Sequence, residues 1–368
     1  MSSIASTVQV GGRRVGVGAP CFIIAEAGVN HNGDMDLAHR LIDAAAAAGA
    51  DAVKFQAFVT EELVTATAPK AGYQLATTSG GGDQFSMLKA LELTGAQLDA
   101  LRRHCDERNV VFLCTPYDFP SIDLLDRLGV AAYKIASTDT TNTPFLRHLA
   151  AKGRPVLLST GMSSLAEVEA AVGALAAVRD QLILLHCTSE YPAPPEEANL
   201  RAMATMAAAF ACPVGFSDHT MGIEAAGWAL VLGACVIEKH FTLDRAAPGP
   251  DHRASIEPGE LAALVAMARR AELALGDGVK RPTASEIPNK PRMQKSLVLR
   301  RAVGAGERLT VDILTCKRPG GGLSPDWLDK VAGRPAARAV AADAALTLAD
   351  VDWRQEAAPE HALPEGGR

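Results

Sequence analysis

Eight short apolar runs, each followed by a stretch rich in Ala and Leu, fill most of this 368-residue chain and constrain its fold more than any other feature. They lie at residues 21–26, 52–56, 110–115, 131–135, 155–159, 182–186, 213–217 and 234–238. A strand buried on both faces is apolar throughout, whereas a half-solvated strand alternates. Between the runs lie segments with helical spacing of apolar residues, at 36–48, 94–108, 121–128, 165–178 and 223–232. Strands alternating with helices predict an α/β protein with a parallel sheet covered by helices. Eight such units predict a closed (β/α)8 TIM barrel, with an open doubly wound sheet as the competing arrangement. The second unit is longer than the rest, because residues 59–89 intervene with a Ser79-Gly-Gly-Gly82 tract. A long loop at the carboxyl end of a strand is expected to be a lid or a wall of a site.

The texture changes after Leu275. Gly276 and Gly278 end a helix, and Pro282, Pro288 and Pro291 mark residues 280–295 as a linker between a barrel at 1–279 and a second domain. Residues 296–353 carry short strand-like runs and tight turns, including Gly304-Ala-Gly306 and Gly320-Gly-Gly322. They predict a small, mostly-β domain, hard to stabilise alone. The tail at 354–368 is expected to be disordered.

The 36 Lys and Arg against 42 Asp and Glu give a net charge of −6, which excludes a nucleic-acid binder working by bulk charge. No apolar run approaches the ~18 residues a membrane helix needs, and the first 20 residues have no signal-peptide core. The seven cysteines are odd in number and scattered, which favours reduced core thiols and a cytoplasmic location.

Barrels carry their chemistry at the carboxyl ends of the strands. There the sequence places Glu26, Lys54, Gln56, Thr115, Lys134, Ser137, Ser159, Ser217, His219, Glu238 and His240. Alternation puts Lys54 and Gln56 on one face of their strand, and Glu238 and His240 on one face of theirs. Two inward lysines must meet something anionic, because an unpaired buried ammonium costs several kcal/mol. With Thr115, Ser137, Ser159 and Ser217 around them they suit a phosphate or a phosphorylated carboxylate; the alternative is pairing with local carboxylates. His219 and His240 follow neighbouring strands and suit a divalent metal with an open position, or are hydrogen-bonded structural groups. Glu238 could join them. In Asn30-His-Asn-Gly33, Gly33 fits a turn and Asp34 a helix cap. Asp251 either binds substrate hydroxyls or caps the next helix.

Several segments resemble the sialic acid synthase family. They are Glu26-Ala-Gly-Val-Asn-His-Asn-Gly33, Val53-Lys-Phe-Gln56, Cys114-Thr-Pro116, Leu158-Ser-Thr-Gly-Met162, Phe216-Ser-Asp-His219, Ile237-Glu-Lys-His240, Gly249-Pro-Asp-His252 and Lys317-Arg-Pro-Gly320. The resemblance runs in order to about Trp353. It implies a barrel followed by a small antifreeze-like (SAF, β-clip) domain, in a domain-swapped homodimer. It also implies condensation of phosphoenolpyruvate with an N-acylated mannosamine-type sugar to a nine-carbon 2-keto acid, with release of phosphate. Lys54, Thr115, Lys134, Ser137, Ser159 and Ser217 resemble the phosphoenolpyruvate-binding positions, with Ser189 standing where some members have asparagine. His219 and His240 resemble ligands of a divalent ion, manganese in the first instance, with magnesium or cobalt as alternatives. Glu26, Gln56, Tyr191 and Asp251 match sugar-contacting or catalytic positions. Tyr73, in the long loop, is expected to help choose the sugar. Arg318 resembles an arginine that the small domain sends into the site of a partner subunit. Thr138-Asp139 departs from the family's usual Gly-Glu.

The acceptor is open between N-acetylmannosamine and a 2,4-diacetamido-2,4,6-trideoxy sugar. Two rivals stand beside this reading: a Schiff-base aldolase with Lys134 as nucleophile, and a non-catalytic sugar-binding protein.

Overall fold

The computed structural model describes residues 7–78 and 83–357. Two short strands, β1 (Thr7–Val10) and β2 (Arg13–Gly16), form an antiparallel hairpin. Eight parallel strands follow: β3 (Phe22–Gly28), β4 (Ala52–Ala57), β5 (Val111–Pro116), β6 (Tyr133–Ile135), β7 (Val156–Ser159), β8 (Leu182–Cys187), β9 (Val214–Asp218) and β10 (Val236–His240). They close in sequence order, and β10 pairs with β3 in a register that sets His240 opposite Glu26. That pairing excludes the open sheet, which would leave both strands as edges.

Two apolar layers hold the barrel. Ile23, Val53, Phe55, Leu158, Leu184 and Ile237 face outward and are sealed by the helices. Phe22, Ile24, Leu113, Leu157, Ile183, Leu185 and Val236 fill the interior. Val8, Val10 and Val15 of the hairpin belong to that inner cluster, so the hairpin plugs the amino-terminal end of the barrel. The sequence reading missed it. Its cue is the Gly11-Gly12 turn, where both residues have positive φ and a Cβ on Gly11 would stand 2.6 Å from Val111.

With one end plugged, solvent reaches the interior at the carboxyl ends of the strands. The loops there are pinned locally. Asp34 caps the helix Met35–Ala47 by accepting from the amides of Asp36 and Leu37, as the sequence suggested. Gly33 has φ +78° with a carbonyl 2.8 Å from where its Cβ would be, so only glycine fits. Asn30 donates to the carbonyl of Phe241 and to Ser255 Oγ, both at 2.9 Å, tying the first loop to the eighth. The stretch read as one helix at 165–178 ends at Ala174 and continues as a 3-10 turn, Ala176–Gln181.

Contacts divide the chain between Asp277 and Gly278. The second unit has an antiparallel pair, β11 (Ser296–Leu299) and β12 (Leu314–Lys317), and its own core of Leu297, Leu299, Leu309, Ile313, Leu346 and Val351. All seven cysteines are free thiols, and among the described residues no helix is long and apolar enough to cross a membrane.

Candidate active site

A cavity of about 400 Å³ opens at the carboxyl end of the barrel. Its floor is charged. Lys54 from β4 lies 3.3 Å from Glu26 Oε2 of β3 and 3.1 Å from Glu238 Oε1 of β10. It also donates to Thr115 Oγ1 at 3.3 Å. Lys134 from β6 lies 3.3 Å from the same Glu238 oxygen. Strand alternation thus aims two ammonium groups from non-adjacent strands at one carboxylate, and all four charged groups are buried. The lysines pair with local carboxylates, the alternative that the sequence left open, and the paired groups stand in the cavity floor.

The environment drives the four titrations apart. Burial lifts Glu26 to about 7, with Glu238 adding to the rise and Lys54 opposing it. Burial also acts upward on Glu238, but Lys134 and Lys54 outweigh it and bring that carboxyl down to about 2. Lys54 is raised, because Glu238 and Glu26 overcome its desolvation. Lys134 is lowered, desolvation and the neighbouring Lys54 winning over Glu238 and Glu26. Two carboxylates among two lysines therefore take different protonation states near neutral pH, the arrangement expected of an acid–base site.

Beside the lysines lies a polar cradle. Ser137 Oγ accepts from the Gly161 amide at 2.9 Å and stands 3.1 Å from Cys187 Sγ. A Cβ on Gly161 would come within 2.9 Å of Ser137 Oγ and 2.8 Å of Cys187 Sγ, and nearer still to Ser189 Oγ. Ser159 Oγ is buried without a hydrogen bond. A buried hydroxyl without a partner is costly and marks a place for a polar ligand. Ser217 donates to Glu238 Oε1 at 3.0 Å.

His219 and His240 face each other with ring centroids 5.5 Å apart, and Tyr191 stacks on His219 at 4.2 Å. His219 Nδ1 lies 2.6 Å from the Thr188 carbonyl, so it carries the proton and leaves Nε2 a lone pair. His240 Nδ1 is buried without a hydrogen bond, 3.7 Å from Asp251 Oδ2. Burial keeps both rings neutral, His219 at about 4 and His240 well below the ordinary imidazole value. A neutral imidazole oriented by a carbonyl on its other nitrogen is the form that binds a metal. The pair fits a divalent cation completed by solvent or substrate, although among the described residues no third His, Cys, Asp or Glu closes a protein-only cage.

Gln56 donates to Glu26 Oε1 at 3.1 Å. Asp251 does not cap the turn His252–Ala254; its buried carboxyl lines the cavity, and desolvation raises it to about 6. Ser189 stands at the cradle rather than in the cavity lining. The Tyr73 side chain falls outside the described residues. Arg318 is exposed on the second unit. The long 59–89 loop forms a wall of the cavity, as its length led us to expect, through Leu63, Met87 and Leu88 beside Phe58; these particular residues were not read from the sequence. The sequence reading missed Gly161, which Leu158-Ser-Thr-Gly-Met162 could have flagged.

Fold and site together define a (β/α)8-barrel protein with a small β domain, its cavity floored by paired lysines and carboxylates beside two uncharged imidazoles. The chain belongs to the NeuB family: residues 41–280 match that family, and residues 294–352 match the SAF domain. It is 46% identical over 318 residues to the N,N'-diacetyllegionaminic acid synthase of Campylobacter jejuni, covering 84% of this chain and 95% of that protein. It is likewise 46% identical to the enzyme of that name from Legionella pneumophila, covering 85% and 89%. The crystal structure of an N-acetylneuraminic acid synthetase from Leptospira borgpetersenii in complex with citrate superposes with a TM-score of 0.70 at 38% identity, covering 78% of this chain and 96% of that one.

Proposed function

We propose that this protein condenses phosphoenolpyruvate with 2,4-diacetamido-2,4,6-trideoxymannose to the diacetamido nine-carbon 2-keto acid, releasing phosphate. The observation that carries the reading is the floor of the cavity. Lys54 and Lys134 converge there on one carboxylate, next to the unpartnered Ser159 hydroxyl. Phosphoenolpyruvate, with one carboxylate and one phosphate, answers two ammonium groups flanked by hydroxyls. Two relatives named N,N'-diacetyllegionaminic acid synthase support the diacetamido acceptor over N-acetylmannosamine.

In this reading Lys54 and Lys134 hold the carboxylate and phosphate, while Ser137, Ser159, Ser217 and Thr115 orient them. His219 and His240 would hold a divalent cation, manganese in our reading, which supplies Lewis-acid polarisation of the acceptor aldehyde when bound. Carbon 3 of the enol forms the new bond to the aldehyde carbon. The neutral carboxyl of Glu26 gives its proton to the oxygen that was the carbonyl. Water adds to carbon 2 and gives a proton to the Glu26 carboxylate, restoring it; the bond from carbon 2 to the phosphate oxygen then breaks as the new carbon-2 hydroxyl gives its proton to the departing phosphate, leaving the keto acid and inorganic phosphate. Gln56 holds Glu26 Oε1, and Asp251 and Tyr191 face the sugar. Arg318 of a second copy completes the site in a swapped homodimer, and the free thiols suit the cytoplasm.

Lys134 is the buried amine with a lowered pKa, which keeps a Schiff base as the second reading. Phosphate release from phosphoenolpyruvate, sensitive to chelator and dependent on the acceptor, is the expected result. Borohydride trapping of the keto product on the protein, without phosphate release, would replace the condensation by the Schiff-base reading.

A further inference from the structure

The second loop supplies a surface that the condensation chemistry does not require. Leu63 and Val64 end the short helix Thr60–Leu63, and Met87 and Leu88 come from the helix Gln84–Lys89. All four line the cavity, and all are only half-buried. Beside them Val29, Phe58 and Leu91, which also line the cavity, form a small buried cluster separate from both barrel cores. This wall is thus built as a unit, with its own foundation and an apolar face left to the cavity.

Its charge is as informative as its hydrophobicity. Among the described cavity-lining residues the only cations are Lys54 and Lys134, both on the floor. Lys89, on the same helix as Met87 and Leu88, is held by Glu61 and Glu92 at 3.1 Å each. Lys70 donates to Thr78. Two side-chain amides stand by the wall, with Gln84 Nε2 3.4 Å from Gln74 Oε1. Apolar side chains with neutral amides beside them match a ligand end carrying methyl and amide groups. They offer no positive charge to a phosphate.

We propose that Leu63, Met87 and Leu88 form a specificity subsite for the distal end of the acceptor sugar, taking a C-methyl and an acylamido group and turning away phosphorylated ends. This rests on the condensation reading, which fixes the aldehyde end over the floor and so sends the distal end to the wall. An apolar pocket discriminates a methyl from a hydroxymethyl only modestly, about 10- to 200-fold. Exclusion of a dianionic phosphate from a wall without cations is far stronger.

The test uses the full-length protein with manganese and phosphoenolpyruvate, following phosphate release with three acceptors. These are the diacetamido trideoxy sugar, N-acetylmannosamine and N-acetylmannosamine 6-phosphate. Wild type is expected to prefer the first over the second by at least about tenfold in kcat/KM and not to turn over the third. In Met87→Gln and Leu88→Gln that preference falls about tenfold. An unchanged preference in both folded variants overturns the subsite. A second measurement stands apart from turnover: with methyl-labelled methionine, the Met87 signal, assigned by Met87→Leu, should move when the diacetamido sugar is added without phosphoenolpyruvate. If the variants do not fold, or if no acceptor releases phosphate, this signal decides. A shift keeps the subsite even where the condensation reading has failed, and a fixed signal at saturating sugar overturns it.

Discussion

Glu26 is the residue on which protonation and reaction meet. Its carboxyl is lifted to about 7 by burial, while Glu238 stays ionised between the two lysines. In the proposed reaction Glu26 gives the proton to the acceptor oxygen and must be neutral to do so, so kcat/KM should fall as pH rises through about 7. Glu26→Gln should lose about a hundredfold to ten-thousandfold in kcat and lose that alkaline limb with it. A variant that keeps the same limb near 7 would move the proton to another group. Stability reports the same shift by a different route. The folded carboxyl keeps its proton to higher pH than the unfolded one, whose ordinary value is 4.5. The folded state therefore binds more protons across that window, and stability is lost as pH climbs from about 4.5 through about 7. Gln has no proton to lose, so the melting temperature of Glu26→Gln relative to wild type should rise between pH 5 and pH 8. A constant difference would mean that burial does not shift Glu26.

At the scale of elements, alternation along β9 and β10 sends one set of side chains into the cavity and the other into the helix layer. Ser217 and Glu238 face inward; Asp218 and Lys239 face outward and pair at 2.9 Å, both side chains fully buried. Asp218 also accepts from the amide and hydroxyl of Thr220, and Lys239 donates to the Thr220 carbonyl. Removing one partner leaves a buried charge, so Lys239→Met should cost about 3–5 kcal/mol in denaturant unfolding. Replacing both, with Asp218→Leu added, should recover part of that loss. Gly161 makes the opposite case, an element built for function. Its φ is not in the left-handed region, so Gly161→Ala strains no backbone, but the new methyl enters the cradle of Ser137, Cys187 and Ser189. The Michaelis constant for phosphoenolpyruvate should rise by about tenfold or more, and the crowding should cost about 1–3 kcal/mol in denaturant unfolding. These contrasts show why the sequence was readable in parts. The barrel was legible because a strand covered on both faces must be apolar along its length, and its polar ends then stand out as Lys54, Lys134, His219 and His240. The hairpin was not, because Thr7–Val10 and Arg13–Gly16 are too short for a period to register. The wall was legible from the length of the 59–89 loop but its residues were not, because Leu63, Met87 and Leu88 look like any helix core until the fold turns them toward a cavity.

For the whole molecule, the remaining question is what the small domain of residues 294–352 adds to the proposed reaction. Arg318 lies in the Lys317-Arg-Pro-Gly320 turn, exposed on that unit, with a guanidinium suited to a carbonyl oxygen. In the swapped homodimer proposed here, each barrel works with the Arg318 of the other copy. This makes a prediction that an arrangement within one chain does not. Arg318→Ala leaves the barrel whole and removes the arm, whereas Lys134→Ala removes the floor and leaves the arm. Each variant alone should be nearly inactive. When the two are unfolded together and refolded, half the dimers are mixed, and each mixed dimer has one intact site, so phosphate release should return to about a quarter of wild type. If the arm serves its own barrel, no combination of the two chains contains an intact site and activity stays at the level of the single variants. A return to a quarter therefore establishes both the dimer and the exchange of domains, and continued inactivity with mixed dimers present assigns Arg318 to its own chain or to no site.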